Sequence, residues 1–293
     1  MKGANDLEKL EGYELELVAQ NCRENVIRMV KASGHGHIGG AFSAMDIVTA
    51  LYFRIMNIDP KQPKKDDRDR FVLSAGHKCM VQYAVLAERG FVNKEILDTY
   101  GKLHSTIPGH PDMYKLAGIE ANTGALGHGL AIGTGMALGL KSNRTNSKVY
   151  VVLGDGELAE GSNWEAAAAA SHHKVDNLVA IVDYNGLQIS GKVEDVMNMT
   201  PIADHFKAFG WSVKDIDGNN MKEIVETLEQ IPLEAGKPTL IVAHTIKCKG
   251  LSLGENVASY HYWSPTLEEL QKTEDEMKRN KDRLVKKIEE EKS

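Results

Sequence analysis

Asp155 and Asn185 are the residues around which a chemistry can be built. Each follows a short apolar run: Val149–Leu153 precedes Gly-Asp-Gly in VYVVLGDGELAEG, and Leu178–Val182 precedes Asp-Tyr-Asn-Gly in LVAIVDYNG. An alanine-rich segment lies between them, so the stretch reads as strand, turn, helix, strand: a βαβ unit with parallel strands. Both polar residues then fall just beyond the carboxyl ends of strands, the edge at which open α/β sheets bind ligands. A carboxylate and an amide at matching strand ends offer hard oxygen donors to Mg²⁺. That ion keeps few protein ligands and takes the others from water and phosphate. The local reading is a Mg²⁺–diphosphate site.

The elements that position this stretch follow from periodicity and turn residues. Residues 5–31 carry Leu7, Leu10, Leu15, Val18, Ile27 and Val30 among charges and are predicted helical. A glycine-rich turn, SGHGHIGGAFSA (33–44), leads into a predicted helix from Met45 to Met56, where Asp46 reads as a first-turn residue rather than a ligand. Pro60 to Arg70 is a charged loop. Phe71–Leu73 is a short strand ending in SAGHK, and residues 79–89 form a helix. The loop with LHSTIPGHPD (103–112) follows, and NTGALGHGLAIGTGMALGLKS (122–142) starts glycine-rich and becomes helical. Each helical glycine costs about 1 kcal/mol relative to alanine, which close packing can offset. Further helices are predicted at Ile202–Phe209 and Met221–Ile231, with strands at Trp211–Ile216 and Pro238–His244. Residues 265–292 read as a charged, solvated helix. Repeated strand–helix alternation means an α/β fold: a mainly parallel sheet with helices on both faces, in one domain over residues 1–293 with a helical tail from about 265.

Composition sets outer limits. The 293 residues are 42% hydrophobic, enough for a substantial core, and the net charge of -6 gives no reason to expect nucleic acid. Cys22, Cys79 and Cys248 have no paired spacing, which argues against a disulfide framework and a cysteine zinc site. No apolar run approaches the roughly 20 residues of a membrane helix, and the charged start is unlike a signal peptide. A reducing, cytoplasmic setting is expected.

GDGELAEG and VDYN, with 30 positions from Asp155 to Asn185, resemble the thiamine diphosphate-binding motif. SGHGHIGG, LSAGHK, PGHPD, TGALGHG and the late HTIKCKG…YHYWSP resemble transketolases in the same order. The resemblance spans nearly the whole chain and corresponds to the amino-terminal, diphosphate-binding part of that family. It implies the thiamine diphosphate-binding fold, with thiamine diphosphate and Mg²⁺ as cofactors. Asp155, Asn185 and the backbone carbonyl of Leu187 would hold the metal. Gly154 and Gly156 would let the chain approach the diphosphate, His77 and Lys247 would lie beside it, and Gly124 and Leu126 would touch the cofactor. Glu160 would meet its counterpart across a dimer interface. His37, His77, His110 and His261 would form the proton-handling cluster. Of the two histidines in SGHGHIGG, His35 fits the Ser-Gly-His start and His37 fits the spacing to Gly39 and Gly40; His37 is favoured. His172 and His173 read as packing or interface residues. One departure concerns specificity: Tyr262 follows His261 where relatives have glycine, and its bulk would narrow a substrate channel.

The activity implied is transfer of a two-carbon ketol unit from a ketose or ketose phosphate to an aldose or aldose phosphate. The cofactor's other half-site, with a glutamate facing the pyrimidine, belongs in this family to a following domain. The expectation is therefore one subunit of a split enzyme, its second subunit carrying the pyrimidine-binding and carboxy-terminal domains, assembled as a dimer of heterodimers. Alternatives are another thiamine diphosphate enzyme, of the 2-oxo acid dehydrogenase α-subunit or deoxyxylulose phosphate synthase type, or a non-catalytic paralogue that binds the cofactor.

Overall fold

The apolar runs become five parallel strands in a computed structural model that describes residues 10–293: β1 Arg70–Leu73, β2 Val149–Gly154, β3 Leu178–Tyr184, β4 Ser212–Asp217 and β5 Thr239–His244. The sheet order is β1-β2-β3-β5-β4. In register, Gly154 lies opposite Asp183, and Tyr184 opposite His244, so the strands end together along one edge.

Among the described residues, ten α-helices pack around this sheet: α1 Gly12–Ser33, α2 Ile38–Ser43, α3 Met45–Ala50, α4 Cys79–Arg89, α5 Gly129–Ser142, α6 Gly161–His172, α7 Val193–Val196, α8 Ile202–Ala208, α9 Met221–Leu228 and α10 Leu267–Glu291. Alternate strand residues feed two separate cores. Tyr150, Val152, Val179, Ile181 and Ile241 pack with residues of α1, α3, α4 and α9. Val149, Val151, Leu153, Ala180 and Val242 pack with residues of α5, α6 and α8. Burial on both faces is why the central strands read as unbroken apolar runs rather than alternating ones.

The structure departs from the sequence reading in the second predicted helix and in the tail. The helix predicted over Met45–Met56 is α-helical only to Ala50; Leu51–Ile55 form a wide turn closed by Met56 N–H donating to Leu51 O at 2.8 Å. Asp46 does lie in the first turn of a helix, but it is also buried and paired with Arg23 at 2.9 Å, which ties α3 to α1. The charged tail helix is not simply solvated. Leu270, Thr273 and Met277 make a stripe at helical spacing, Thr273 and Met277 are buried, and Gln20 of α1 donates to Met277 O. Thr266 and Glu269 start that helix with a reciprocal capping box. Of the helix predicted over 5–31, residues 5–9 lie outside the described residues.

Candidate active site

The carboxyl ends of β1, β2, β3 and β5 border one cleft of about 280 Å³. His37, Gly40, His77, Lys78, Gly124, Leu126, Gly154, Asp155, Gly156, Glu157, Asn185, Leu187, Lys247 and His261 are among its lining residues. The structure thus gathers into one cavity most of the residues expected from the sequence.

Strand β2 delivers the acid. Asp155 is 4% exposed and accepts hydrogen bonds from Gly156 N–H at 2.8 Å and Gly186 N–H at 2.6 Å. Burial pushes its pKa up to about 6, with Asp183 adding to the rise and Lys78 opposing it. Strand β3 delivers Asn185, whose Nδ2 faces Asp183 Oδ2 and Ser43 Oγ, both at 3.4 Å. Its Oδ1 accepts from Leu187 N–H at 3.2 Å. The Leu187 carbonyl, expected to face a metal, accepts from Lys247 Nζ at 3.0 Å. Among the described residues no three of His, Cys, Asp and Glu converge as a metal site. A cation here would rely on one carboxylate, an amide, a carbonyl and oxygens of a ligand, the donor set Mg²⁺ takes.

Two features fit a diphosphate. Lys247 is 2% exposed and has no carboxylate within 4 Å among the described residues; burial lowers its pKa against the more distant pull of Asp155 and Asp183, so a contacting anion would stabilise its charge. The floor is also built from glycines where no side chain fits: a Cβ on Gly156 would stand 2.9 Å from Gln188, and one on Gly124 (φ +138°) 2.6 Å from the His110 ring, which leaves bare backbone bordering the cleft.

Three histidines close the cleft as a triangle. Ring centroids of His37 and His77 are 5.4 Å apart, His37 and His261 5.4 Å, and His77 and His261 5.1 Å. His35 points elsewhere: it is exposed, stacks on Tyr262 and shares a 2.6 Å hydrogen bond between its Nδ1 and the Tyr262 hydroxyl. Tyr262 in turn sets its ring edge-on to His37 at 4.8 Å, so the bulky departure stands beside the histidine cluster. His110 is exposed and its ring packs against Gly124 at the rim. Glu160 is exposed and lies outside the cleft, its Cβ against the Gly127 turn. His172 and His173 are exposed.

Residues without a role in the sequence reading also shape the site. Lys78 is 4% exposed and pairs with fully buried Asp183 at 2.6 Å. Glu157, 3% exposed, accepts from Ser74 Oγ, Gly127 N–H and Gly154 N–H. A charged residue shortly after each of two strand ends was the available signal, in SAGHK and in GDGE.

The histidines are held neutral. The His77 pKa is pushed down to about 2, first by burial and then by the Lys78 charge. That of His261 falls to about 3, by burial and Lys247, and that of His37 is lowered by burial and by neighbouring histidines. The ordinary value is 6.5, so below that pH the unfolded chain binds protons that the folded chain refuses, and stability falls as pH drops. Asp155 works in reverse, adding stability as pH falls from about 6 towards 3.8. Glu157, also raised by burial, acts in the same direction as Asp155, and the three lowered histidines outweigh these acids between pH 7 and pH 5. The midpoint of urea unfolding is expected to decrease from pH 7 to pH 5; a flat or rising midpoint would contradict the neutral cluster.

Comparison with known proteins agrees with this arrangement. Residues 15–285 match the family model described as the thiamine diphosphate binding domain of transketolase. An apulose-4-phosphate transketolase subunit from Phocaeicola vulgatus is 43% identical over 272 residues, covering 93% of this chain and 96% of the relative. A 6-deoxy-6-sulfo-D-fructose transketolase subunit from a Clostridium species is 39% identical and covered over 97% of its length. The solved transketolase of Campylobacter jejuni superimposes with a TM-score of 0.85 at 31% identity, over 94% of this chain and 46% of that one. The chain spans less than half the length of the solved transketolases it matches. Among the described residues no helix is long and apolar enough to cross a membrane. With a matching family model over most of its length and the strand-end cleft that such a domain requires, the chain belongs to the transketolase family as a thiamine diphosphate-binding domain.

Proposed function

We propose that this chain is the diphosphate-binding subunit of a two-chain, thiamine diphosphate- and Mg²⁺-dependent transketolase that moves a two-carbon ketol unit from a ketose or ketose phosphate to an aldose or aldose phosphate. The observation that carries the reading is the joining, in one cleft, of a buried lysine, an acid and an amide with a triangle of histidines. The two-chain form is supported by relatives of nearly the same length that are named transketolase subunits. The second chain would carry the pyrimidine-binding and carboxy-terminal domains, in a dimer of heterodimers. Three buried free thiols suit a cytoplasmic setting.

When bound, the cofactor supplies the carbon nucleophile that attacks a ketose carbonyl. The chain's own residues do the remaining work. Asp155, Asn185 Oδ1 and the Leu187 carbonyl would hold Mg²⁺, and Lys247 would face the diphosphate. Lys247 Nζ lies 3.4 Å from His261 Nδ1. An ammonium only donates, so Nδ1 accepts, and the neutral ring keeps its proton on Nε2, ready to donate to a substrate oxygen. Lys78 and Lys247 help hold the pKa values of His77 and His261 down. An anion beside those lysines offsets this and lifts both rings toward the range useful for proton transfer.

The test is reconstitution. Purified chain, a candidate second chain, thiamine diphosphate and Mg²⁺ are assayed with ketose donors and aldehyde acceptors. Transfer is expected from the pair and not from this chain alone. Full turnover by the single chain would refute the two-chain form. Pyruvate decarboxylation without ketose cleavage would favour the 2-oxo acid or deoxyxylulose phosphate reading, and cofactor binding without transfer to any aldehyde the non-catalytic one.

A further inference from the structure

Two buried lysines enter the cleft from different elements, and each runs over one glycine of α2. The stem of Lys247 lies on Gly39, where an added Cβ would stand 2.9 Å from Cε and 3.2 Å from Cγ. The stem of Lys78 lies on Gly40, where a Cβ would stand 2.7 Å from Cε, 2.8 Å from Cγ and 2.9 Å from Cδ. The glycine pair therefore gives two long side chains adjacent tracks into the site. Lys78 Nζ ends beside Gly154, 3.5 Å from where its Cβ would be, at the mouth of the Gly-Asp-Gly turn.

The two ammonium groups are held differently. Lys247 has the Leu187 carbonyl and His261 Nδ1. Lys78 has Asp183 Oδ2 at 2.6 Å. That same oxygen receives the Ser43 hydroxyl at 2.6 Å and the Asn185 amide nitrogen at 3.4 Å, while Oδ1 receives the Thr245 hydroxyl at 2.5 Å. Asp183 is thus well supplied with donors before Lys78 is counted. Releasing Lys78 to a stronger anion would leave its carboxylate still hydrogen-bonded, which lowers the cost that normally attends breaking a buried pair. Asp183 also sets the Asn185 amide: holding Nδ2 turns Oδ1 away from the acid, where it accepts from Leu187 N–H.

We propose that Lys78 is a second anion ligand of this cleft: the Gly39–Gly40 pair seats Lys247 and Lys78 together so that both ammonium groups bind a diphosphate, while Asp183 parks Lys78 within reach and orients Asn185. The inference rests on the reading of the cleft as a diphosphate site. Two point charges suit the separated oxygens of a diphosphate better than a monophosphate.

The probe is inorganic pyrophosphate with Mg²⁺, titrated calorimetrically into the full chain. Wild type is expected to bind, Lys78→Met to lose about tenfold in affinity, and Lys78→Arg, which keeps the charge, to recover most of that loss. Equal affinity of Lys78→Met and wild type overturns the role of Lys78 and leaves the diphosphate reading standing. Wild type that fails to bind overturns the diphosphate reading itself. Should Lys78→Met not fold with its buried acid unpaired, the double variant Lys78→Met/Asp183→Asn removes both charges; the same tenfold loss supports the proposal, and wild-type affinity overturns it.

Discussion

Asp155→Ala is expected to abolish Mg²⁺-dependent binding of thiamine diphosphate while the fold survives. The carboxylate is buried, its pKa is pushed up to about 6, and the nearby Asp183 adds to the rise. An acid in that position destabilises the chain until a cation reaches it, and it gives the ion its one anionic protein ligand in the expected set. Truncation orphans the N–H groups of Gly156 and Gly186 but removes the buried charge. These effects oppose each other, so unfolding free energy is expected to change by no more than about 1 kcal/mol. Affinity in calorimetry on the reconstituted complex is expected to fall at least about 100-fold, the equivalent of ~2.7 kcal/mol. Below pH 6 the wild type is expected to weaken in the same direction, because a proton then competes for Asp155. Unchanged affinity in the variant would remove Asp155 from the ligand set.

Glu157→Ala carries the larger penalty for the fold. This carboxylate sits among donors from three segments: Ser74 beyond β1 at 2.5 Å, Gly127 in the loop before α5 at 2.9 Å, and Gly154 at the end of β2 at 3.1 Å. No Lys or Arg pairs with it within 4 Å among the described residues, and burial raises its pKa against the pull of these hydrogen bonds. Removing it leaves two backbone N–H groups and a hydroxyl without an acceptor. At roughly 1 kcal/mol or more for each orphaned group, a loss of about 3 kcal/mol in urea unfolding is expected. Glu157→Gln keeps one acceptor oxygen and is expected to lose about half as much. The Gly127 loop also carries Gly124 and Leu126, so cofactor affinity is expected to fall with stability in both variants. A loss below about 0.5 kcal/mol for the alanine variant would show that water replaces the carboxylate at no cost.

These two acids mark how far the sequence can be read. Asp155 is legible because it follows one apolar strand and stands 30 residues before Asn185, which follows another; two polar residues at paired strand ends converge whatever the loops do. The strands are legible for a related reason: burial on both faces writes an unbroken apolar run into the sequence. Glu157, Lys78 and Asp183 are not, because their roles depend on partners 30 to 140 positions away, and a lone charge near a strand end carries no mark of its partner. Glu160, expected at a dimer interface, is exposed outside the cleft, and a role that needs a second copy leaves no trace within one chain. The tail helix conceals its packed side because charge dominates its composition, while the stripe of Leu270, Thr273 and Met277 that faces inward is thin.

The segment after β5 returns to the first histidine turn through a two-bond antiparallel bridge: Gly36 N–H to Trp263 O and Trp263 N–H to Gly36 O, both 2.9 Å. This clasp places His261 against His37. Its bearing is on timing. Two residues made early and late by the ribosome must meet before the third histidine is in place, so the histidine triangle is complete only after residue 263 has been synthesised. Contacts over such a separation form late, because the loop must close before they repay it. The amides of Gly36 and Trp263 therefore offer a reporter: their deuterium uptake distinguishes a sheet that has merely assembled from one whose histidine end is shut.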